Sequence, residues 1–244
     1  TLSGITCMFQ KTIEFTSPHP DWLVQPKPAK KCTPEWFKKM KNHFGEIKNY
    51  TNPTIKKCVP VLDSLTSGYI ILNPAEVAFT QEKDQITWNY REEVHSAIAK
   101  LNIGIQTHKM GQVSKDMCDS SEYELAFKYQ NPWKIKTPKN YSCIFTNPFN
   151  NKVDNIRIIT GIVDTDDYEL NINFPFFLKK MQVGESFVLR KNAPIALVFP
   201  FLRDSWKMEI KKEKANVEVK EDFKLFSFIE DGYKKCIWKR KKYD

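Results

Sequence analysis

Glycine is scarce in this 244-residue chain, with 8 residues against 14 prolines. That balance disfavours a fold built on glycine-rich phosphate loops and favours rigid turns and irregular connections. No P-loop, dinucleotide fingerprint or Gly-x-Ser-x-Gly elbow occurs. Arginine is rare, at positions 91, 157, 190, 203 and 240, so the net charge of +9 rests on lysine. The cysteines at 7, 32, 58, 118, 143 and 236 fall in no Cys-x-x-Cys or other zinc spacing. Scattered in this way, they read as reduced, mostly buried thiols of an intracellular protein. No apolar run approaches the ~20 residues of a membrane span, and no basic start leads into a signal-like run. The expectation is therefore a protein with no signal peptide, no transmembrane segment and no membrane partner.

What the chain does have is apolar and aromatic content, 41% and 13%, enough for a globular core. Residues 156–201 are the most ordered-looking stretch. Residues 156–163 (IRIITGIV) form a β-branched run with Gly161 inside it, read as one strand carrying a bulge or a close backbone approach. Asp164, Thr165, Asp166 and Asp167 then make a turn. Pro175 within NINFPFFL implies an edge strand or a strand boundary, and residues 186–201 read as two strands around Lys191-Asn192, the second stopped by Pro200. Short strands broken every eight to twelve residues imply a mainly β core with a few peripheral helices.

Three regions flank or build on that core. Residues 1–57 form an N-terminal wrap and helix. Four prolines surround Trp22 as the expected anchor, and Thr33-Pro34-Glu35 opens a helix with Trp36, Phe37, Met40 and Phe44 on one face. Residues 58–210 form the β-rich part. Strands are expected on both sides of Asn73-Pro74 and in QITWNYRE, residues 58–65 read as irregular, and 92–105 as a short helix or long loop. Residues after Phe201 read as a strand leaving the core. Residues 211–244 form a basic C-terminal segment expected to be helical, with Phe226, Ile229, Tyr233 and Ile237 on one face. One elaborated domain over 1–244 is the expectation.

Candidate sites follow from side-chain chemistry. Asp164, Asp166, Asp167 and Glu169 are the densest acidic cluster. The first three could hold a hard cation, or the cluster could simply be an Asp-rich turn. His19 and Asp21, with a distant histidine, have the residue types of an iron facial triad. Lys234, Lys235, Trp238, Lys239, Arg240, Lys241 and Lys242 interleave positive charge with an aromatic ring, which suits phosphates or an acidic partner.

Three pieces occur in the order found in the dUTPase and dCTP-deaminase superfamily: residues 67–79 (SGYIILNPAEVAF), 161–169 (GIVDTDDYE) and 191–201 (KNAPIALVFPF). The resemblance implies a β-clip-like core and a trimer. It makes Asp164 the residue that activates water, Tyr168 the one that packs on deoxyribose, and Mg2+ the cofactor of that reading. The chain departs from the pattern at Ile70, where the family has Asp, and at Asn192 and Leu197 in the third motif. It also has one extra residue between Asp164 and Tyr168 and lacks the Arg-Ser-Ser phosphate motif and the glycine-rich C-terminal arm. Asp21-Trp22 followed by Pro26 and Pro28, with GIVDTDDY and NFPFF, also resembles uncharacterised proteins of marine phages and related viruses.

The expected function is thus that of a structural or interaction protein of viral type, without catalytic machinery or cofactor, that self-associates in a host cytoplasm or a virion. One alternative is a divergent dUTPase-like nucleotide-binding or hydrolysing protein using Asp164 and Tyr168. Another is non-specific nucleic-acid binding through Lys234 to Lys242.

Overall fold

The computed structural model describes residues 11–45, 52–91, 98–99, 103–109, 111–212 and 232–244. The fold is mainly β, with short helices at its edges. Its strands are β1 (Glu14–Thr16), β2 (Lys27–Pro28), β3 (Tyr69–Leu72), β4 (Val77–Gln81), β5 (Ile86–Tyr90), β6 (Gly104–Thr107) and β7 (Glu122–Gln130). They continue with β8 (Lys134–Lys136), β9 (Tyr141–Thr146), β10 (Ile156–Ile158), β11 (Gly161–Val163), β12 (Phe174–Lys179), β13 (Ser186–Leu189) and β14 (Pro194–Leu202). The helices are α1 (Glu35–Lys39), α2 (Val59–Thr66) and α3 (Gly232–Cys236).

Every strand pairing is antiparallel. A five-stranded sheet runs β11-β9-β14-β3-β2 and a four-stranded sheet runs β10-β12-β7-β6. The strands β13-β4-β5 form a third sheet, and β1 pairs with β8. Alternation along the strands sends one set of side chains from every sheet into a single core. Phe127 on β7 stacks on Phe176 of β12, with centroids 5.5 Å apart, and Phe79 of β4 meets both edge-on. Phe145 of β9 reaches Phe174 of β12 at 5.6 Å, joining the two larger sheets. A smaller cluster (Ala29, Ile70, Leu72 and Leu197) lies apart from this core, where residues of the N-terminal wrap pack against β3 and β14.

Glu122 and Arg157 cross-link β7 and β10 over the strand between them. The guanidinium makes two hydrogen bonds to the buried carboxylate, at 2.7 and 2.5 Å, and lies 4.8 Å from the centre of the Phe177 ring. These bonds hold the Glu122 carboxyl below the usual range. Tyr129 is the opposite case. Its ring stacks on Phe174 and its buried hydroxyl has no partner among the described residues. A buried unsatisfied hydroxyl costs roughly 1–3 kcal/mol. Tyr129→Phe should therefore leave stability unchanged or raise it by about 1 kcal/mol, read from the denaturant midpoint.

Several expectations are corrected. Residues 156–163 are not one strand: the chain changes sheets after Ile158, so β10 pairs with β12 and β11 with β9. Gly161 has open space around it, so neither a bulge nor a close approach explains it. Pro175 is the second residue of β12, at a strand boundary as one of its two readings expected, but β12 is an inner strand between β10 and β7 and not an edge. The proline is tolerated because its carbonyl side faces Ile159, where β10 has ended, so the missing N–H breaks no ladder. Pro200 does not stop β14, which runs on to Leu202. Past Val198 the strand has only β9 beside it, which leaves room for a proline.

At the N-terminus, Trp22 is exposed and stacks on His19, while Leu23 beside it is the buried anchor. Thr33 does not cap the helix: its hydroxyl donates back to the Lys30 carbonyl, Pro34 stands at the cap of α1, and the helix closes after one turn, with Phe37 buried but Phe44 exposed. Residues expected to be irregular form α2, with proline in its first turn. Cys58 and Cys236 are exposed thiols, whereas Cys143 is buried and its thiol is pushed up to about 11. No helix among the described residues is long and apolar enough to cross a membrane. Residues 1–10, most of 92–102 and the stripe residues Phe226 and Ile229 lie outside the described residues.

Candidate functional site

Asp164 and Tyr168 share one tight turn, as the sequence implies. The backbone N–H groups of Asp167 and Tyr168 donate to the Asp164 carbonyl. Thr165 ties the turn inward: its buried hydroxyl lies 2.7 Å from that of Thr137 and donates to Cys143 Sγ. The carboxylates are held by a residue that the sequence did not single out. Arg203, the residue after β14, makes two hydrogen bonds to Asp166, at 2.7 and 2.5 Å, and lies 3.2 Å from Asp164 Oδ1. Ser142 Oγ donates to Asp164 at 2.6 Å, and the Asn140 N–H donates to Asp166 at 2.8 Å. Asn140 takes a left-handed φ of 69° at this point, a region asparagine tolerates.

This geometry bears directly on the metal reading of Asp164, Asp166 and Asp167. The first two turn their oxygens toward a guanidinium, and Asp167 is exposed. Among the described residues no three His, Cys, Asp or Glu side chains are grouped so as to hold a metal ion. As they stand, these residues do not fit Mg2+, which needs several free oxygens in octahedral array. The Asp166 carboxyl is held down to about 2, first by the hydrogen bonds from Arg203.

The basic C-terminal residues dock on α2 and β3, and one groove beside them reaches Thr137 and Tyr141 near the acidic turn. Of the expected long helix, the described part is the single turn of α3, and residues 237–244 lie back across α2 and β3. Asp63 on α2 is the clasp. It accepts from Trp238 Nε1 at 3.0 and 2.9 Å and from Lys241 Nζ at 2.5 Å. The last residue, Asp244, pairs with Lys30 at 2.5 Å. The Tyr243 ring sits 5.9 Å from Tyr69 and 6.2 Å from Phe199. Trp238 and Lys241 are thus engaged in docking, while Lys234, Lys235, Lys239, Arg240 and Lys242 remain exposed. A groove of about 410 Å³ lies on one side of the docked segment, lined by Lys30, Lys234 and Arg240 among others. A second, of about 360 Å³, lies on the other side with Lys11 and Tyr141.

A third feature was expected as a strand leaving the core. Residues 203–212 have no regular structure and are exposed throughout. Trp206, Met208 and Ile210 are 90%, 84% and 87% exposed, in strict alternation with Lys207, Glu209 and Lys211. The period of two is legible in the sequence; that none of the described residues covers it is not.

Comparisons with protein-family models and with curated proteins find no match. Similar solved structures include a mutant dUTPase of Staphylococcus bacteriophage 80alpha with dUpNHpp. It has 12% identity and a TM-score of 0.30, over 80% of this chain and 91% of that one. A second 80alpha dUTPase mutant has 12% identity and a TM-score of 0.32, over 80% and 92%. A mutant dUTPase from phage phi11 of S. aureus, described with a structural Mg(II) ion, has 10% identity and a TM-score of 0.30, over 79% and 97%. Scores this low do not carry fold or function from those enzymes to this chain.

Proposed function

We propose that this is a structural or interaction protein that self-associates through residues 204–212. The observation that carries the reading is the exposed alternation of Trp206, Met208 and Ile210. Covering Met208 and Ile210 alone would contribute about 1.5–3 kcal/mol each. A second copy of the same segment is a suitable cover. Antiparallel pairing centred on Met208 sets Trp206 opposite Ile210 and Lys207 opposite Glu209, so both apolar and charged pairs match. Light scattering should return a multiple of the 28.6 kDa chain mass. Replacing Trp206, Met208 and Ile210 together with serine should return one chain mass without loss of folded structure. A wild-type protein that is monomeric at tens of micromolar would overturn the reading.

A second reading, nucleic-acid binding through the C-terminal segment, is favoured by the lysines and Arg240 left exposed beside Trp238. The hydrolase reading, with Asp164 activating water, Tyr168 on the sugar and Mg2+ as cofactor, has less support because Arg203 and Ser142 already engage Asp164. Metal-dependent dUTP binding that is lost in Asp164→Asn would favour it instead.

A further inference from the structure

We propose that single-stranded nucleic acid binds across a composite basic track that exists only while the C-terminal segment is clasped by Asp63, with Lys11 and Lys30 completing it from the N-terminal region. The proposal deepens the second reading above and rests on it.

The two grooves on either side of the docked segment share Lys241, Lys242 and Tyr243 as lining, so they are adjacent parts of one surface. One adds Lys30, Lys234 and Arg240, and the other adds Lys11. Lys241 is paired with Asp63 and Lys30 with Asp244. Among the described residues no carboxylate lies within ion-pair distance of Lys11, Lys234, Arg240 or Lys242. Aromatic rings are interleaved with these charges: Trp238 lines the first groove, Tyr69 and Tyr141 the second, and Lys11 lies 4.8 Å over the Tyr141 ring. Positive charge that tracks a backbone, combined with ring faces for stacking, suits single strands better than an acidic protein surface.

The sequence presents Lys234 to Lys242 as the end of a basic helical segment; the structure instead folds it back over α2 and holds it there. Trp238 and Lys241 are both held by one carboxylate, so the spacing between the C-terminal cations and Lys11 and Lys30 depends on an acidic residue. The two pictures predict opposite signs. For a free basic arm, removing a nearby negative charge strengthens polyanion binding. For a composite track, it releases the arm and weakens binding.

The test is fluorescence anisotropy with a single-stranded oligo-dT at several salt concentrations, on the full chain. Four cations without an ion-pair partner among the described residues, at about 0.7 per phosphate, give a log–log slope of about −3, on the order of a fifty-fold loss between 50 and 200 mM salt. Asp63→Ala, which keeps or improves helix propensity in α2, should weaken binding roughly fivefold by loss of preorganisation. Lys11→Ala, a surface change that leaves the fold intact, should reduce the slope by about 0.7. Trp238→Leu removes both the indole clasp and a stacking ring without changing charge, and should weaken binding at least as much as Asp63→Ala. If Asp63→Ala binds as tightly as wild type or more so, the composite track is wrong although the nucleic-acid reading stands. If wild type ignores oligo-dT but binds polyglutamate in a salt-dependent manner, both fail and the face takes an acidic protein.

Discussion

Phe127→Ala is expected to destabilise the protein by about 3–5 kcal/mol, the range for a large aromatic removed from a close-packed interior. The ring is fully buried and central. It stacks on Phe176, meets Phe79 edge-on at 6.1 Å and Trp88 at 5.9 Å, and so joins the four-stranded sheet to the three-stranded one. The strands β7, β12 and β4 that carry Phe127, Phe176 and Phe79 are each paired on both sides and cannot collapse far into the void, which places the loss toward the upper end. Val183→Ala, at an exposed site, should change stability by no more than about 0.5 kcal/mol. Urea titration of the two variants checks both values. A loss below about 1 kcal/mol for Phe127→Ala would mean that this ring does not sit in the shared core.

The second large effect is expected from Arg203→Met, and pH is its signature. Asp166 is buried and bonded to Arg203, and its carboxyl is held down to about 2 from an ordinary 3.8. A group depressed in the folded state contributes stability above its unfolded value and loses it as pH falls through the folded one. The clasp therefore acts fully at neutral pH and fades between about pH 4 and pH 2. Removing Arg203 leaves a buried carboxylate without its charge partner, which is strongly destabilising when the group is ionised. The variant should melt well below wild type at pH 7, and the gap should close as pH approaches 2. Glu122, held low by Arg157, contributes to the same acid limb in both proteins and cancels in the comparison. Thermal melts of the pair across pH 2–7 provide the check. A gap independent of pH would assign the loss to packing of the arginine stem rather than to the Asp166 charge.

Arg203 also shows why the acidic turn was only half legible. Four acidic residues within six positions stand out in any sequence, and a cation is a natural partner for them. The cation here is a guanidinium 37 positions after Asp166, brought alongside because β14 and β11 both pair with β9. No local pattern marks it except that arginine is rare. The same holds for Asp63, an isolated acid whose importance comes from a segment 175 positions away folding back over α2.

Local patterns served well where a strand's own alternation decides its structure. The strands around Asn73-Pro74, the strand in QITWNYRE and the turn at Lys191-Asn192 are all present, the last with Asn192 at a left-handed φ of 65°. They failed where a partner decides. β7, the nine-residue inner strand beside β12, has no element assigned from the sequence, although its burial largely alternates as a strand's does. Pro200 reads as a stop from rules about a lone strand, yet it is permitted inside β14 by where its neighbour β3 ends.

By itself, then, the sequence determined a globular β-rich core, the Asp164–Tyr168 turn and the concentration of basic charge at the C-terminus, because these follow from composition and from side chains within a few positions. Only the tertiary structure decided the change of sheets after Ile158, the pairing of the acidic turn with Arg203 and the docking of the basic segment on Asp63. Each of these depends on hydrogen bonds and charges between residues far apart in the chain, and no local propensity encodes them.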